Sequence, residues 1–272
     1  MWELDSFAKI NIFLEITEKS GDLHKLHSLF CKIDLADNIT IKPFSQLEVA
    51  YNNQKITNDI LFKTITVLRK HFPKINTNFL INVKKNIPIG AGLGGASSNA
   101  ATVIKFLLKE NSIEIPHTEL LKIGKEVGSD VPFFLCNGPM ILHGTGAELN
   151  KPNCKIPQIY CVISYPNFIL LTKDVFARIS PPYTKFKAVI NFEDALIRNN
   201  EMQTTANLIT NGLINKTLTH LFHPKALVTK MSGSGVSCFS LFRKKEEAIQ
   251  CFNAFQKHNN TQVFLTQILL DN

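Results

Sequence analysis

No apolar run in the 272 residues reaches the ~20 needed for a helix to cross a bilayer, which excludes a membrane-spanning helix. The start, Met1–Trp2–Glu3–Leu4–Asp5, lacks a basic stretch, so it does not read as a secretory signal and the expected compartment is the cytoplasm. Cys-x-x-Cys pairs are also missing. Cys31, Cys136, Cys154, Cys161, Cys238 and Cys251 are scattered, which argues against a zinc ribbon or a redox motif and for reduced thiols. His220 and His223 form an isolated His-x-x-His without further ligand candidates nearby, a surface pair near a helix end rather than a metal site. Acidic residues are the minority, 22 against 30 Lys and Arg, and the net charge of +8 favours anionic partners such as nucleotides or phosphorylated metabolites. The basic residues are spread along the chain, with only short clusters such as Arg243–Lys244–Lys245. A basic stripe with interleaved aromatics is absent, so nucleic acid is not an expected partner.

What is present describes an ordinary globular chain, long enough for two modest domains with their own cores. Residues 7–16 alternate as a strand, with Ile10, Ile12, Leu14 and Ile16 on one face and Lys9, Asn11 and Phe13 on the other. Short strands are expected near 29–35, 38–43 and 46–51, and a helix over 58–71. The strand Phe79–Val83 leads through Lys84–Lys85–Asn86–Ile87–Pro88 into a glycine cluster. A helix capped by Ser97 or Ser98 then runs to about Glu110, and a second, capped by Thr118, runs to Val127. Phe133–Cys136 reads as an apolar strand. The proline-rich stretch at 152–157 is the candidate domain boundary, and another stretch, 181–182, is a further irregular connection. Beyond the boundary, strands (159–164, 237–242, 262–269) and helices (173–178, 203–215, 245–257) mix into a second α+β unit.

Glycine is scarce, 13 in all, yet four lie in Gly90–Ala91–Gly92–Leu93–Gly94–Gly95. A loop that dense in glycine lets backbone N–H groups converge, and the following helix adds the positive end of its dipole. Ser97 and Ser98 supply hydroxyls for a phosphate oxygen or a magnesium ion. The competing reading is a tight strand-to-helix turn. Gly90, Gly92 and Gly95 fit Gly-x-Gly-x-x-Gly, but Ile115–Pro116 follows Glu114 where a dinucleotide fold needs an acidic residue closing a second parallel strand. Gly-x-x-x-x-Gly-Lys-Ser/Thr is absent, so the loop is no P-loop. A second small-residue loop, Met231–Ser232–Gly233–Ser234–Gly235, precedes a strand and is a weak signal alone. Phosphoryl transfer needs a proton acceptor and cations; Asp130 and Lys9 are candidates, and a turn former and a snorkelling edge lysine are the competing readings.

Three segments in this order resemble the GHMP kinase superfamily of galactose, homoserine, mevalonate and related kinases. They are Ala8–Lys9–Ile10–Asn11, Pro88–Ile89–Gly90 through Ser97–Ser98–Asn99–Ala100–Ala101, and Met231–Ser232–Gly233–Ser234–Gly235. A histidine followed by Leu29–Phe30, and Gly128–Ser129–Asp130–Val131–Pro132, make the chain look most like the branch that phosphorylates a hydroxyl of a diphosphocytidyl methylerythritol in the non-mevalonate isoprenoid pathway. The resemblance spans nearly the whole chain. It implies an α+β fold of two domains, a ribosomal-protein-S5-like N-terminal domain (1–152) and a ferredoxin-like C-terminal domain (153–272). By the same resemblance, Pro88, Ile89, Gly90, Ala91, Gly92, Leu93, Gly94, Gly95, Ala96, Ser97 and Ser98 wrap ATP, with Asp59, Ile60, Gly233, Ser234 and Gly235. Asp130 would take the substrate proton while Lys9 keeps Asp130 ionised, and Asn11, His24, Thr172 and Phe176 would contact substrate. Mg2+ is expected as the nucleotide counterion with no protein ligand identified, and monomer and homodimer both stay open.

The chain departs from the family pattern at three points, one being that no clear carboxylate stands for the metal that other superfamily members bind. Leu23 stands before His24 where the family usually has a tyrosine for stacking on cytosine, a contact worth ~1–3 kcal/mol. Asn58–Asp59–Ile60 replaces the common Asp-Asn-Leu near the adenine. A homoserine or mevalonate type of kinase is the near alternative, and a basic RNA-binding protein on an S5-like fold the distant one.

Overall fold

The structure, a computed structural model, describes residues 1–21, 23–145, 148–181, 183–255 and 261–270. The chain opens with β1 (Trp2–Ser20), β2 (Leu23–Pro43), β3 (Glu48–Tyr51), β4 (Gln54–Ile56), α1 (Ile60–His71) and β5 (Phe79–Lys84). It continues with α2 (Gly95–Glu110), α3 (His117–Val127), α4 (Val131–Leu135), β6 (Met140–Gly144), β7 (Glu148–Asn150), β8 (Tyr160–Tyr165) and α5 (Thr172–Phe176). Last come α6 (Phe192–Ile197), α7 (Met202–Ile209), α8 (Leu213–Leu221), β9 (Val228–Met231), β10 (Cys238–Phe242), α9 (Lys245–Phe255) and β11 (Gln262–Leu269). Two compact units divide these elements, and the division cuts β1, β2 and the glycine cluster.

The first unit holds Met1–Ala8, Leu35–Ile87 and Gly94–Asn137. Its β5 pairs antiparallel with the end of β2 (Ile39 opposite Val83) and parallel with β3, which pairs with β4. One face of this sheet's centre is apolar: Ile39, Ile41, Val49, Ile81 and Val83, paired across the strands, are all fully buried. α1 buries Leu61, Ile65 and Leu68, at helical spacing, and α2 buries Val103, Ile104 and Leu107. Burying apolar side chains of this size contributes roughly 1.5–3 kcal/mol each. The apolar segment expected as a strand at Phe133–Cys136 is instead α4, all five of its residues buried. A short run of apolar residues reads the same for a buried strand and a buried helix turn, and Pro132 is tolerated at a helix start. The expected Thr118 cap also fails: α3 begins at His117 behind Pro116, which places Thr118 inside the first turn.

The second unit holds Lys9–Asp34, Pro88–Leu93 and Gly138–Asn272. Here β6 pairs with β7 and with the first half of β2, and the end of β11 meets Ile33 of β2. β11, β8, β10 and β9 then follow in antiparallel order. The helix expected over 203–215 is two, α7 and α8, broken where Gly212 takes a φ of +85°. The expected helix 245–257 is α9, and its last two residues, like Pro182, lie outside the described residues. No helix among the described residues is long and apolar enough to cross a membrane.

Candidate active site

In the second unit the two small-residue loops pack on each other. A Cβ on Gly92 (φ +75°) would stand 2.5 Å from the Ser232 carbonyl oxygen and 2.8 Å from that of Gly235, so only glycine fits. The Ala91 carbonyl accepts from the Ser237 amide (3.2 Å), that of Gly92 from the Ser232 hydroxyl (3.3 Å), and that of Leu93 from the Lys9 amide (3.0 Å). The Ile89 carbonyl accepts from the Tyr165 hydroxyl (3.2 Å). The carbonyls of Ile89, Ala91, Gly92 and Leu93 are thus consumed by packing. Its amides at Gly90, Ala91, Gly92 and Leu93 donate to no backbone carbonyl of the described residues. Amides without a backbone acceptor beside inward-tied carbonyls have the geometry in which a backbone can receive an anion.

The first unit carries the rest of the cluster. α2 begins at Gly95 behind Gly94, which is left-handed (φ +71°), with no side-chain cap and no acidic residue in the first turn. The capping role expected of Ser97 or Ser98 is therefore not used. Both lie inside the first turn, where Ser98 is buried and its oxygen accepts from the Ser6 hydroxyl at 2.8 Å, while Ser97 is half-buried and Ala96 exposed. The N–H groups at this helix start keep the positive end of the dipole available to an anion. Asp130 stands at the N-cap position of α4, half-buried, and its carboxylate does not cap the helix. Asp59 does cap: it accepts from the amides of Ile60 (2.6 Å) and Leu61 and from the Tyr51 hydroxyl. Burial and that carboxylate push the Tyr51 hydroxyl above its ordinary range.

Lys9 belongs to the second unit and is 4% exposed, not a snorkelling edge residue. Its ammonium donates to Asn11 Oδ1 at 2.7 Å and stands 4.9 Å from the centre of the Phe30 ring. Asn11 is held in turn: its Nδ2 donates to Ser28 Oγ (2.9 Å), and Ser28 donates to the Phe13 carbonyl. A Cβ on Gly233 would come 3.3 Å from Lys9 Nζ and 3.0 Å from the Gly92 carbonyl oxygen, so the second loop rests on both. Lys9, Asn11, Gly92 and Gly233 are thereby brought together. Asn200, which no sequence signal marked, holds this arrangement by donating from Nδ2 to the carbonyls of Met231 and Gly233, each at 2.8 Å.

Two further pairs stand in the same unit. Thr172 and Ser234 share a hydroxyl hydrogen bond of 2.7 Å. His24 stacks on Phe176, ring centres 5.3 Å apart and planes at 29°, and meets Tyr183 edge-on at 6.1 Å. Burial, with help from Lys19, holds the His24 imidazole below its ordinary pKa, and its buried Nε2 has no hydrogen-bond partner among the described residues. The Leu23 side chain lies outside the described residues. Among the described residues, no group of three or more His, Cys, Asp or Glu is placed to hold a metal ion, and all six cysteines are free.

Comparison with known proteins bears on this geometry. Residues 59–138 match the family described as GHMP kinases N terminal domain. A 4-diphosphocytidyl-2-C-methyl-D-erythritol kinase of a Sulfurihydrogenibium species is 34% identical over 78% of each chain. One of Exiguobacterium sibiricum is 30% identical over 97% of each. A crystal structure of 4-(cytidine 5'-diphospho)-2C-methyl-D-erythritol kinase superposes with a TM-score of 0.82 at 24% identity, covering 98% of this chain and 99% of that one.

Proposed function

The chain belongs to the GHMP kinase family and has its mixed α+β fold, and on that premise we propose its reaction: ATP-dependent phosphorylation of a hydroxyl of 4-diphosphocytidyl-2-C-methyl-D-erythritol in the non-mevalonate isoprenoid pathway. The observation that carries the chemistry is the glycine loop, where the carbonyls of Ile89, Ala91, Gly92 and Leu93 are spent on packing while the amides of residues 90–93 meet no backbone acceptor among the described residues, followed by the uncapped start of α2. Phosphoryl transfer asks little covalent chemistry of the protein; positioning and charge stabilisation do most of the work.

In this reading the amides of residues 90–95 and the Ser97 hydroxyl bind the ATP phosphates, joined by the Gly233–Ser234–Gly235 loop. Asp130 accepts the proton of the attacking hydroxyl, and Lys9 offsets charge developing on the transferred group. Asn11, already oriented by Lys9 and Ser28, and His24, Thr172 and Phe176 hold the diphosphocytidyl substrate. A neutral His24 suits the edge of a base, because its buried Nε2 then either donates or accepts by tautomer. Asp59 and Ile60 belong to the adenine end, where the capping bonds of Asp59 fix the start of α1. Mg2+ would accompany ATP as its counterion. A cytoplasmic location completes the proposal.

The test is ADP release measured with the diphosphocytidyl compound, homoserine and mevalonate in parallel. Turnover with the first alone is expected; turnover with homoserine or mevalonate and none with the first would refute the substrate assignment.

A further inference from the structure

Asp37 is fully buried, yet the proposed chemistry gives it no part. A carboxylate taken out of water destabilises a fold unless charged and hydrogen-bonded partners surround it. Its partners here are three consecutive residues. Oδ1 accepts the main-chain N–H of Asn86 and of Ile87, each at 2.8 Å, and Oδ2 accepts from the Lys85 ammonium. Residues 85–87 follow β5 and lead directly into Pro88, the first residue of the glycine loop. They also form the floor beneath the start of α2. A Cβ on Gly95 would stand 3.0 Å from Ile87 Cγ2 and 3.2 Å from Lys85 Nζ. Within one unit, therefore, a single carboxylate holds both the chain entering the loop and the side chains on which the helix after it begins.

The position of Lys85 is informative. Helix stability favours cations at C-termini and anions at N-termini. α2 has neither a side-chain cap nor an acidic residue in its first turn, and an ammonium nonetheless lies against Gly95. That charge placement is unfavourable to the helix by itself and is offset by the ion pair with Asp37. It becomes favourable when a polyphosphate arrives. We infer that Asp37 is a positioning residue for ATP: it fixes residues 85–87 and the Lys85 ammonium so that the loop meets the phosphates in one geometry. This rests on the reading of residues 88–98 as the ATP loop.

Asp37→Asn tests it, because the amide keeps an acceptor for the two N–H groups and loses the charge that holds Lys85. With the diphosphocytidyl substrate saturating, the KM for ATP rises about tenfold or more, as a misplaced binding loop requires. The kcat and the KM for the second substrate stay within about twofold, the pattern of lost ATP binding rather than lost chemistry. Lys85→Met gives the same selective rise, and the double variant adds little to either single one, as partners in one contact do. An unchanged KM for ATP, or a joint fall of all three parameters, overturns the inference. If Asp37→Asn does not fold, Lys85→Met carries the same test. Calorimetric ATP titration separates the two levels: a wild type that binds no ATP overturns the loop reading and this inference with it. A wild type that binds, with both variants binding equally well, overturns this inference alone.

Discussion

Two buried lysines of the second unit invite comparison. Lys230 gives its ammonium to three main-chain carbonyls, those of Ile12, Leu196 and Arg198. Lys9, equally buried, donates to the side chain of Asn11, lies over the Phe30 ring and supports Gly233. The first is a strut: one residue gives hydrogen bonds to three carbonyls of two separate segments. The second is surrounded by side chains and a glycine loop, the environment in which an ammonium can answer a ligand. Burial alone does not distinguish the two lysines; the kind of acceptor does.

The comparison is sharpened most by turnover. Asp130→Ala is expected to lower kcat by about 10²–10⁴-fold, the worth of a general base, with ATP binding largely intact in a calorimetric titration. Loss of ATP binding as well would make Asp130 architectural. Lys9→Met is expected to lower kcat by roughly 10²–10³-fold, as removal of a transition-state donor does, in single-turnover measurements. A Lys9→Met enzyme that turns over normally but melts early would reverse the assignment of the two lysines. Lys230→Met is expected to do the opposite: kcat per folded molecule is kept, while denaturant unfolding shows a loss of about 2–5 kcal/mol from carbonyls left unpaired.

The pH dependence of that last pair has a definite sign. Burial pushes the Lys230 ammonium down to about 8, below its ordinary value. Between pH 8 and the ordinary lysine range the unfolded chain therefore binds more protons than the folded one, and stability rises with pH. The stability of wild type relative to Lys230→Met should grow from pH 8 to 10 and level off below pH 8. A relative stability that falls over that interval would contradict the assigned shift. The smallest effect belongs to Asn200→Ala, which leaves the Met231 and Gly233 carbonyls unpaired. About 1–3 kcal/mol of stability should be lost, with a raised KM as the second loop loosens.

Much of the local structure was legible. The 3.6-residue spacing placed α1 and the end of α2 at Glu110, and alternation placed β1. The glycine density announced a backbone cradle because few other uses require several positive φ values in sequence. Where polar residues interrupt an apolar pattern, local reading went astray. β2 reads as separate strands near 29–35 and 38–43, yet runs unbroken from Leu23 to Pro43. Its polar punctuation is satisfied from elsewhere: Asp34 accepts from Thr266 and from the Gln267 amide, and Asp37 from residues 85–87. Each partner is distant in sequence, so no window of neighbouring residues contains the reason. α4 escaped for a related cause, since its apolar residues pack on all sides and carry no period.

By itself, the sequence determined that this chain has a glycine-dense loop before a helix, a second glycine–serine loop and the Lys9 and Asp130 candidates, because glycine content and motif order are local properties. Only the tertiary structure decided that Gly92 and Gly233 interlock, that Asn200 ties the second loop, that Lys9 is buried against Asn11 while Lys230 is a strut, and that Asp37 grips the loop's entrance. Apart from Lys9 with Asn11, two positions away, each of those contacts joins residues tens to hundreds of positions apart. Hydrogen-bond satisfaction of a buried polar group is a property of its surroundings in space, which the order of residues along the chain does not display.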